Sequence, residues 1–237
     1  MAEILRVGIA GVGTVGASVV RLLAQQDEAL RARTGRKIVV TGISARDKAK
    51  DRGFDASGIA FFDDPKALAA SEDIDLFVEL IGGDEGPARA SVETALKHGK
   101  AVVTANKALL AKHGLALAAL AEEKRVALAY EASVAGGIPI VKTLREGLAG
   151  NSIERVYGIL NGTCNYILSK METEELPFDV CLKEAQRLGY AEADPTFDIG
   201  GFGTPPKPAP LATPALRPGI DPHPHSPPGV EHLTTTP

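Results

Sequence analysis

Residues Ile4–Leu23 read ILRVGIAGVGTVGASVVRLL, and this stretch decides the fold. Ile4 to Ala10 is a short apolar run of the kind that forms a parallel strand buried on both faces. Gly11-Val12-Gly13-Thr14-Val15-Gly16 follows at once. Val15, Val19, Leu22 and Leu23 then recur at helical spacing, which predicts a helix with those residues facing the sheet. A strand, a glycine turn and a helix in that order are what a dinucleotide site requires. Gly11 would allow the tight turn, Gly13 would let a pyrophosphate approach the backbone, and Gly16 would let the helix pack on the strand. A GxGxxG alone also occurs in purely structural turns, so it is the strand before it and the helix after it that favour the dinucleotide.

The chain beyond this unit continues the pattern. Lys37 to Ile43 reads as the second strand and ends in Ser44-Ala45-Arg46-Asp47-Lys48. A site for NAD usually places an acid there to hold the ribose 2′-hydroxyl. Ser44 stands near that point, with Arg46 and Lys48 just behind. Arg46 suits a 2′-phosphate, which favours NADP, while Asp47 keeps NAD open as the alternative. A solvated charged loop is the plainer reading. Ile74 to Ile81 reads as a strand that runs into Gly82-Gly83. Pro87 opens a helix to about His98, and Gly99 ends it. Ala101 to Val103 is the next strand, followed by Thr104-Ala105-Asn106-Lys107. Ligands of open parallel sheets bind beyond the carboxyl ends of the strands, so Gly82, Thr104 and Lys107 are cofactor candidates. Lys107 is also a candidate for substrate contact, although most lysines are plain surface charges. His98 and His113 read as surface or packing residues. Val126 to Tyr130 closes the set of strands.

The character of the chain changes between Ala129 and Met171. The apolar run stops at Glu131, and Gly136-Gly137 then precede Ile138-Pro139, a shaped segment rather than a loose linker. Ile153 to Leu160 reads as a strand that ends in Asn161-Gly162-Thr163, with a helix to about Glu172 behind it. A strand, a turn with free amides and a helix form a small-anion site, so Asn161, Gly162 and Thr163 are candidates for substrate contact. The chain before this stretch would hold a cofactor and the chain after it a substrate, or the stretch is an ordinary crossover. Pro177 starts another helix, with Val180, Cys181, Ala185 and Leu188 on one face and Gly189 at its end. A loop with Glu192, Asp194 and Asp198 follows, suited to a substrate ammonium or a cation, or simply solvated.

Bulk properties narrow the function classes. A formal net charge of −4 gives no reason to expect nucleic acid or an anionic membrane as a partner. Cys164 and Cys181 sit in apolar helical contexts, read as reduced core residues of a cytoplasmic protein. Zinc-type spacing of Cys or His is absent, no signal peptide is visible, and no apolar run is long enough to span a bilayer. Eleven of the sixteen prolines lie from Pro205 onward. Without hydrophobic periodicity, that segment is expected to be disordered or loosely attached.

Taken together, GVGTVG, ELIGG, TANKALL, YEASVAGGIPI, LNGTCNYIL and LGYAEADPTFDIGGF make the chain resemble the homoserine dehydrogenases from about Ile4 to Phe202. The resemblance implies an α/β fold: a Rossmann-type parallel sheet domain over 1–130, then a partial α/β substrate and dimerisation domain over 131–202, with a proline-rich tail over 203–237. It implies NAD(P)H-dependent interconversion of L-aspartate 4-semialdehyde and L-homoserine in threonine, methionine and isoleucine biosynthesis, and a homodimer if the substrate domain folds. Val12, Gly13, Thr14 and Val15 match the cofactor turn, Arg46 the basic NADP position and Lys107 the lysine between cofactor and substrate. Glu131, Val134, Gly136 and Ile138 match the ligands of a monovalent cation, commonly sodium. Glu192 matches the carboxylate that holds the substrate amino group, and Lys207 the catalytic lysine. The pattern departs at Gly203, where the family has an aspartate, and at Pro205, Pro206 and Pro208, which disfavour the helix that should carry Lys207. A truncated or frame-altered end, and with it a non-catalytic cofactor-binding remnant, is therefore the alternative. Aspartate-semialdehyde dehydrogenase is a third reading. It needs a cysteine nucleophile, and Cys164 has no activating context.

Overall fold

The structure is a computed structural model, and it describes residues 3–153 and 162–191. The expected strand from Ile153 to Leu160 beyond its first residue, Asn161, the acidic loop with Glu192 and Asp198, Lys207 and the proline-rich tail lie outside the described residues. The described chain divides into two compact units, the first ending at Lys142 and the second starting at Thr143.

The first unit is a parallel sheet with helices on both faces. In chain order its elements are β1 (Ile4–Ala10), α1 (Thr14–Gln25), α2 (Asp27–Thr34), β2 (Lys37–Ser44), β3 (Ala60–Phe62), α3 (Pro65–Ala70), β4 (Leu76–Glu79), α4 (Pro87–Lys97), β5 (Ala101–Thr104), α5 (Lys107–Lys124), β6 (Leu128–Ala129), α6 (Glu131–Val134) and the single turn α7 (Ile140–Lys142). The sheet order is β3-β2-β1-β4-β5-β6, with every pairing parallel. The order reverses between β1 and β4, the switch point at which open α/β sheets bind ligands.

Alternation along the strands sorts the core into two layers. Val7, Ile9, Ile43 and Val78 pack with Ala17 and Val20 of α1. On the other face Phe77 and Val102 pack with Leu68 of α3, Val92 and Leu96 of α4, and Leu109 and Leu117 of α5. Strand glycines make room for this second layer. A Cβ on Gly42 would lie 2.6 Å from Leu68 Cδ1, and one on Gly8 would lie 2.8 Å from Ile74 Cδ1.

Several expectations need correction. β3 and α3 were not foreseen, being only three and six residues long. Val15 and Leu22 do not face the sheet: they are 60% and 55% exposed, and Gly16, Ala17 and Val20 are buried instead. The phase of α1 is set by the closest backbone approach, at Gly16, and not by its largest side chains. The strand expected from Ile74 to Ile81 is confined to Leu76–Glu79 because a carboxylate takes over the ladder at each end. Asp75 accepts the Arg6 amide at 2.8 Å. Glu79 accepts the amides of Ile81 at 2.7 Å and Gly82 at 3.1 Å. At β6 the Val126 amide caps α5 by donating to the Ala121 carbonyl, which leaves only Leu128–Ala129 in the sheet.

Within the second unit, α8 (Gly162–Glu174) and α9 (Phe178–Arg187) pack through Ile167, Met171, Cys181 and Ala185. Thr163 Oγ1 donates to the Tyr190 carbonyl at 2.7 Å. Cys181 is buried and Cys164 half-buried, and both are free thiols. Burial pushes the Cys181 thiol up. Val180 and Leu188 were expected on the buried face of α9 but are exposed. The contact with α8 is narrow and is filled by the i, i+4 pair Cys181 and Ala185. No helix among the described residues is long and apolar enough to cross a membrane.

Two outcomes follow for stability. Removing the Phe77 ring, which is fully buried, is expected to cost about 3–5 kcal/mol in urea unfolding of Phe77→Ala. The Arg6 guanidinium holds the Asp75 carboxyl below its usual range, opposed by burial and helped by the Arg6 amide. A depressed carboxyl contributes stability above its unfolded pKa of about 4, and that contribution is lost as pH falls through the lower folded value. Asp75→Asn is therefore expected to flatten the acid limb of the stability profile, by no more than about 1 kcal/mol because the pair is partly solvated.

Candidate dinucleotide site

The candidate residues of the first unit gather at the carboxyl edge of the sheet. At the end of β1 the chain turns through Gly11, whose φ is +94°. A Cβ there would sit 2.3 Å from the Leu80 carbonyl oxygen and 2.7 Å from the Ile81 nitrogen. The turn is thus wedged between the ends of two strands. Gly11 N–H donates to the Ser44 carbonyl at 2.9 Å, and Leu80 N–H donates to the Ala10 carbonyl at 2.7 Å. Gly16 closes the other side: a Cβ on it would lie 2.1 Å from the Gly11 carbonyl oxygen. Between them Gly13 is the N-cap of α1, with no side-chain cap and no acid in the first turn. Space is open where its Cβ would stand. Val12 is buried, while Thr14 and Val15 are exposed. A helix N-terminus with open space at Gly13 and no acid in its first turn favours an anion electrostatically.

The β4 and β5 exits are held by a buried polar network that the sequence reading did not single out. Glu79 is fully buried. Besides the amides of Ile81 and Gly82, its carboxylate accepts the Thr104 hydroxyl at 2.5 Å. Thr104 Oγ1 in turn accepts the Asn106 amide at 3.0 Å. The Asn106 side chain caps α5 by accepting Leu109 N–H at 3.0 Å, and it donates to the Gly83 carbonyl at 2.6 Å. Gly82 and Gly83 both have positive φ, so the loop doubles back over the network. Lys107 is the first residue of α5 and is half-buried. The usable signal in the sequence was a carboxylate at a strand end three residues before a pair of glycines, with an Asn at the N-cap three residues before a leucine.

The same loop is tied down on its outer side. Glu85 binds Lys112 at 2.9 Å, Arg89 at 3.0 Å and His113 at 2.9 Å. Hydrogen bonds from Lys112, then Arg89 and His113, hold its carboxyl down to about 2. His113 is accounted for by this cluster, and His98 by a 2.8 Å contact between its Nδ1 and the Thr94 carbonyl.

At the β2 end, Ser44 is buried and uses its carbonyl to hold Gly11. Arg46 is exposed in the loop that follows. Arg52, also missed in the sequence, reaches back from that loop to the Val12 carbonyl at 3.0 Å.

The residues matched to a cation site fall at the end of the first unit. Glu131 opens α6, and its two carboxylate oxygens accept the amides of Val141 at 2.7 Å and Lys142 at 3.0 Å. Val134 is buried, and Gly136 and Ile138 are exposed. The Ile138 carbonyl accepts Ile140 N–H at 2.8 Å. These donors are all oxygens, the type that hard cations take. In the second unit Gly162 and Thr163 start α8, with Thr163 turned to Tyr190.

Comparison with known proteins places this geometry. Residues 11–131 match the family model described as homoserine dehydrogenase, NAD binding domain. Residues 139–236 match the one described as homoserine dehydrogenase, which runs past Phe202, where the recognised motifs end. The homoserine dehydrogenase of Neisseria gonorrhoeae is 48% identical over 197 residues, covering 83% of this chain and 45% of the relative. The chain thus spans about half the length of the relatives it matches. The crystal structure of a homoserine dehydrogenase from Thiobacillus denitrificans superposes with a TM-score of 0.87 at 44% identity, covering 98% of this chain and 53% of that one. A hyperthermophilic archaeal homoserine dehydrogenase, solved in complex with NADPH, superposes with a TM-score of 0.78 at 27% identity, covering 90% of this chain and 70% of that one. With a nicotinamide-cofactor domain that matches over more than half its length, the chain belongs to the homoserine dehydrogenase family.

Proposed function

We propose that this chain binds NADP across the β1–β4 switch point and serves the interconversion of L-aspartate 4-semialdehyde and L-homoserine, a step in threonine, methionine and isoleucine biosynthesis. The observation that carries the reading is the turn at Gly11, wedged against Leu80 with the uncapped N-terminus of α1 beside it. In this reading the backbone of Gly11, Val12, Gly13, Thr14, Val15 and Gly16 receives the pyrophosphate. Arg46 meets the 2′-phosphate, with NAD the alternative coenzyme, and Gly82 and Lys107 line the nicotinamide side, while Thr104, fully buried, supports them from behind through Glu79 and Asn106. The NADPH complex of the archaeal relative supports this choice of coenzyme.

A reduced nicotinamide, when bound, would supply a hydride to the aldehyde carbon and leave negative charge on the aldehyde oxygen. A lysine ammonium beside that oxygen stabilises the charge and donates the proton. Lys207 is assigned this role, with Lys107 assisting. Glu192 holds the substrate ammonium, and Asn161, Gly162, Thr163 and Asp198 complete the substrate side. The oxygen donors of Glu131, Val134, Gly136 and Ile138 suit a monovalent cation, sodium by family resemblance. A small-molecule substrate, no nucleic-acid or membrane partner, a cytoplasmic location and a homodimer belong to the same reading. So does the division into a cofactor domain over 1–130, a substrate domain over 131–202 and a tail.

A second reading is favoured by Gly203 and the prolines around Lys207: the chain binds coenzyme without turning over. One assay separates the two. Purified protein is mixed with NADPH and aspartate semialdehyde, and the loss of NADPH absorbance is followed. Turnover that is abolished in Lys207→Ala supports the dehydrogenase. Saturable NADPH binding without turnover supports the second reading. Absence of both binding and turnover contradicts both.

Two further outcomes test the framework. Gly11→Ala drives a methyl into the Leu80 carbonyl and is expected to abolish NADPH binding. Glu79→Ala strands the buried Thr104 hydroxyl and releases the Ile81 and Gly82 amides, and is expected to lower stability in urea by about 1–3 kcal/mol. Wild-type coenzyme affinity in the first variant, or wild-type stability in the second, would contradict these assignments.

A further inference from the structure

The loop between β2 and β3 carries Arg46, Lys48, Lys50 and Arg52, with Asp47 and Asp51 among them. Both acids are turned onto their own backbone: Asp47 accepts Ala49 N–H at 2.9 Å and Asp51 accepts Gly53 N–H at 2.9 Å. Lys48 lies over the Phe61 ring, 5.5 Å from its centroid. Arg52 differs from the other cations because it is half-buried and spends its donors on backbone. Its Nε donates to the Val12 carbonyl at 3.0 Å, its Nη1 to the Lys50 carbonyl at 2.7 Å and its Nη2 to the Asp47 carbonyl. The Arg52 carbonyl is itself held from α1, by Arg21 Nη1 at 2.9 Å. One guanidinium therefore fastens the basic loop to the glycine turn, through one donor on each of its three nitrogens.

We propose that Arg52 is the positioning residue for recognition of the coenzyme 2′-phosphate, holding the exposed Arg46 at a fixed offset from the pyrophosphate turn. The inference rests on the dinucleotide reading above and adds to it a residue that sets coenzyme preference. The pyrophosphate is common to NADH and NADPH. It meets a turn that is also held by the Gly11–Ser44 and Leu80–Ala10 hydrogen bonds, in which Arg52 takes no part. The 2′-phosphate belongs to NADPH alone and meets the loop. A loosened loop must be ordered when the phosphate binds, and that entropy is charged to NADPH only. A planar fork with several fixed donors makes this brace, and a single ammonium does not reproduce it.

The test measures dissociation constants for NADPH and NADH by coenzyme fluorescence on the full chain, in wild type, Arg52→Met and Arg52→Lys, with thermal midpoints as the folding check. Both variants are expected to weaken NADPH binding by about tenfold, which corresponds to about 1.4 kcal/mol, while NADH affinity shifts by less than about threefold. Equal losses for both coenzymes would make Arg52 a general brace and overturn the inference. So would Arg52→Lys binding NADPH like wild type, since charge alone would then suffice, or wild-type binding by both variants. Wild-type protein that binds neither coenzyme would overturn the dinucleotide reading and this inference with it.

Discussion

No side chain fits at residue 11, because the Leu80 carbonyl stands 2.3 Å from where its Cβ would be. This exclusion places the end of β1 directly against the β4 exit. The positive φ it requires is open to glycine at little cost. Gly16 then docks α1 onto the same turn, again with no room for a Cβ. Two missing methyl groups thus set where the helix starts, how it is rotated and which way its N-terminal amides point. The exposure of Val15 and Leu22 is the cost of that geometry.

Around this point side chains extend the backbone bonds that close the sheet edge. Glu79 ends β4 by taking two amides, and it joins β4 to β5 through Thr104. Asn106 continues the chain of contacts into the cap of α5, next to Lys107. A buried carboxylate is expensive unless its lone pairs are filled, and here three donors fill them. Because every member has a partner, the network rigidifies the loops it joins. Arg52 does on the β2 side what Glu79 does on the β4 side, with the charges reversed and carbonyls in place of amides.

The sequence made some of this legible and hid the rest for physical reasons. GVGTVG between an apolar run and a helical pattern announced the parallel sheet, and five of its six strands were placed. Short elements were the weakest point. β3 and α3 are too brief for periodicity to register, and their packing depends on Gly8 and Gly42, which read as ordinary strand glycines. Amphipathic faces were also misjudged where small residues make the contact, as in α1 and again in α9, where Cys181 and Ala185 are buried and Val180 and Leu188 are not. Arg52 was hidden because its bond to the Val12 carbonyl is long-range, and the Glu79 network because its link to Thr104 is, although the Glu79 bonds to Ile81 and Gly82 are local. On the substrate side the turn at residues 161–163 and the acidic loop were legible as residue patterns, whereas Lys207 was legible only through the family motif.

The central claim is that a dinucleotide lies on the carboxyl edge of this sheet, over the Gly11 turn. Hydrogen–deuterium exchange with and without NADPH tests it most directly. The account expects slowed exchange concentrated in three segments, residues 11–17, 80–83 and 104–107, with the far ends of the same strands unchanged. Protection elsewhere, or none in the glycine turn at saturating NADPH, would contradict it.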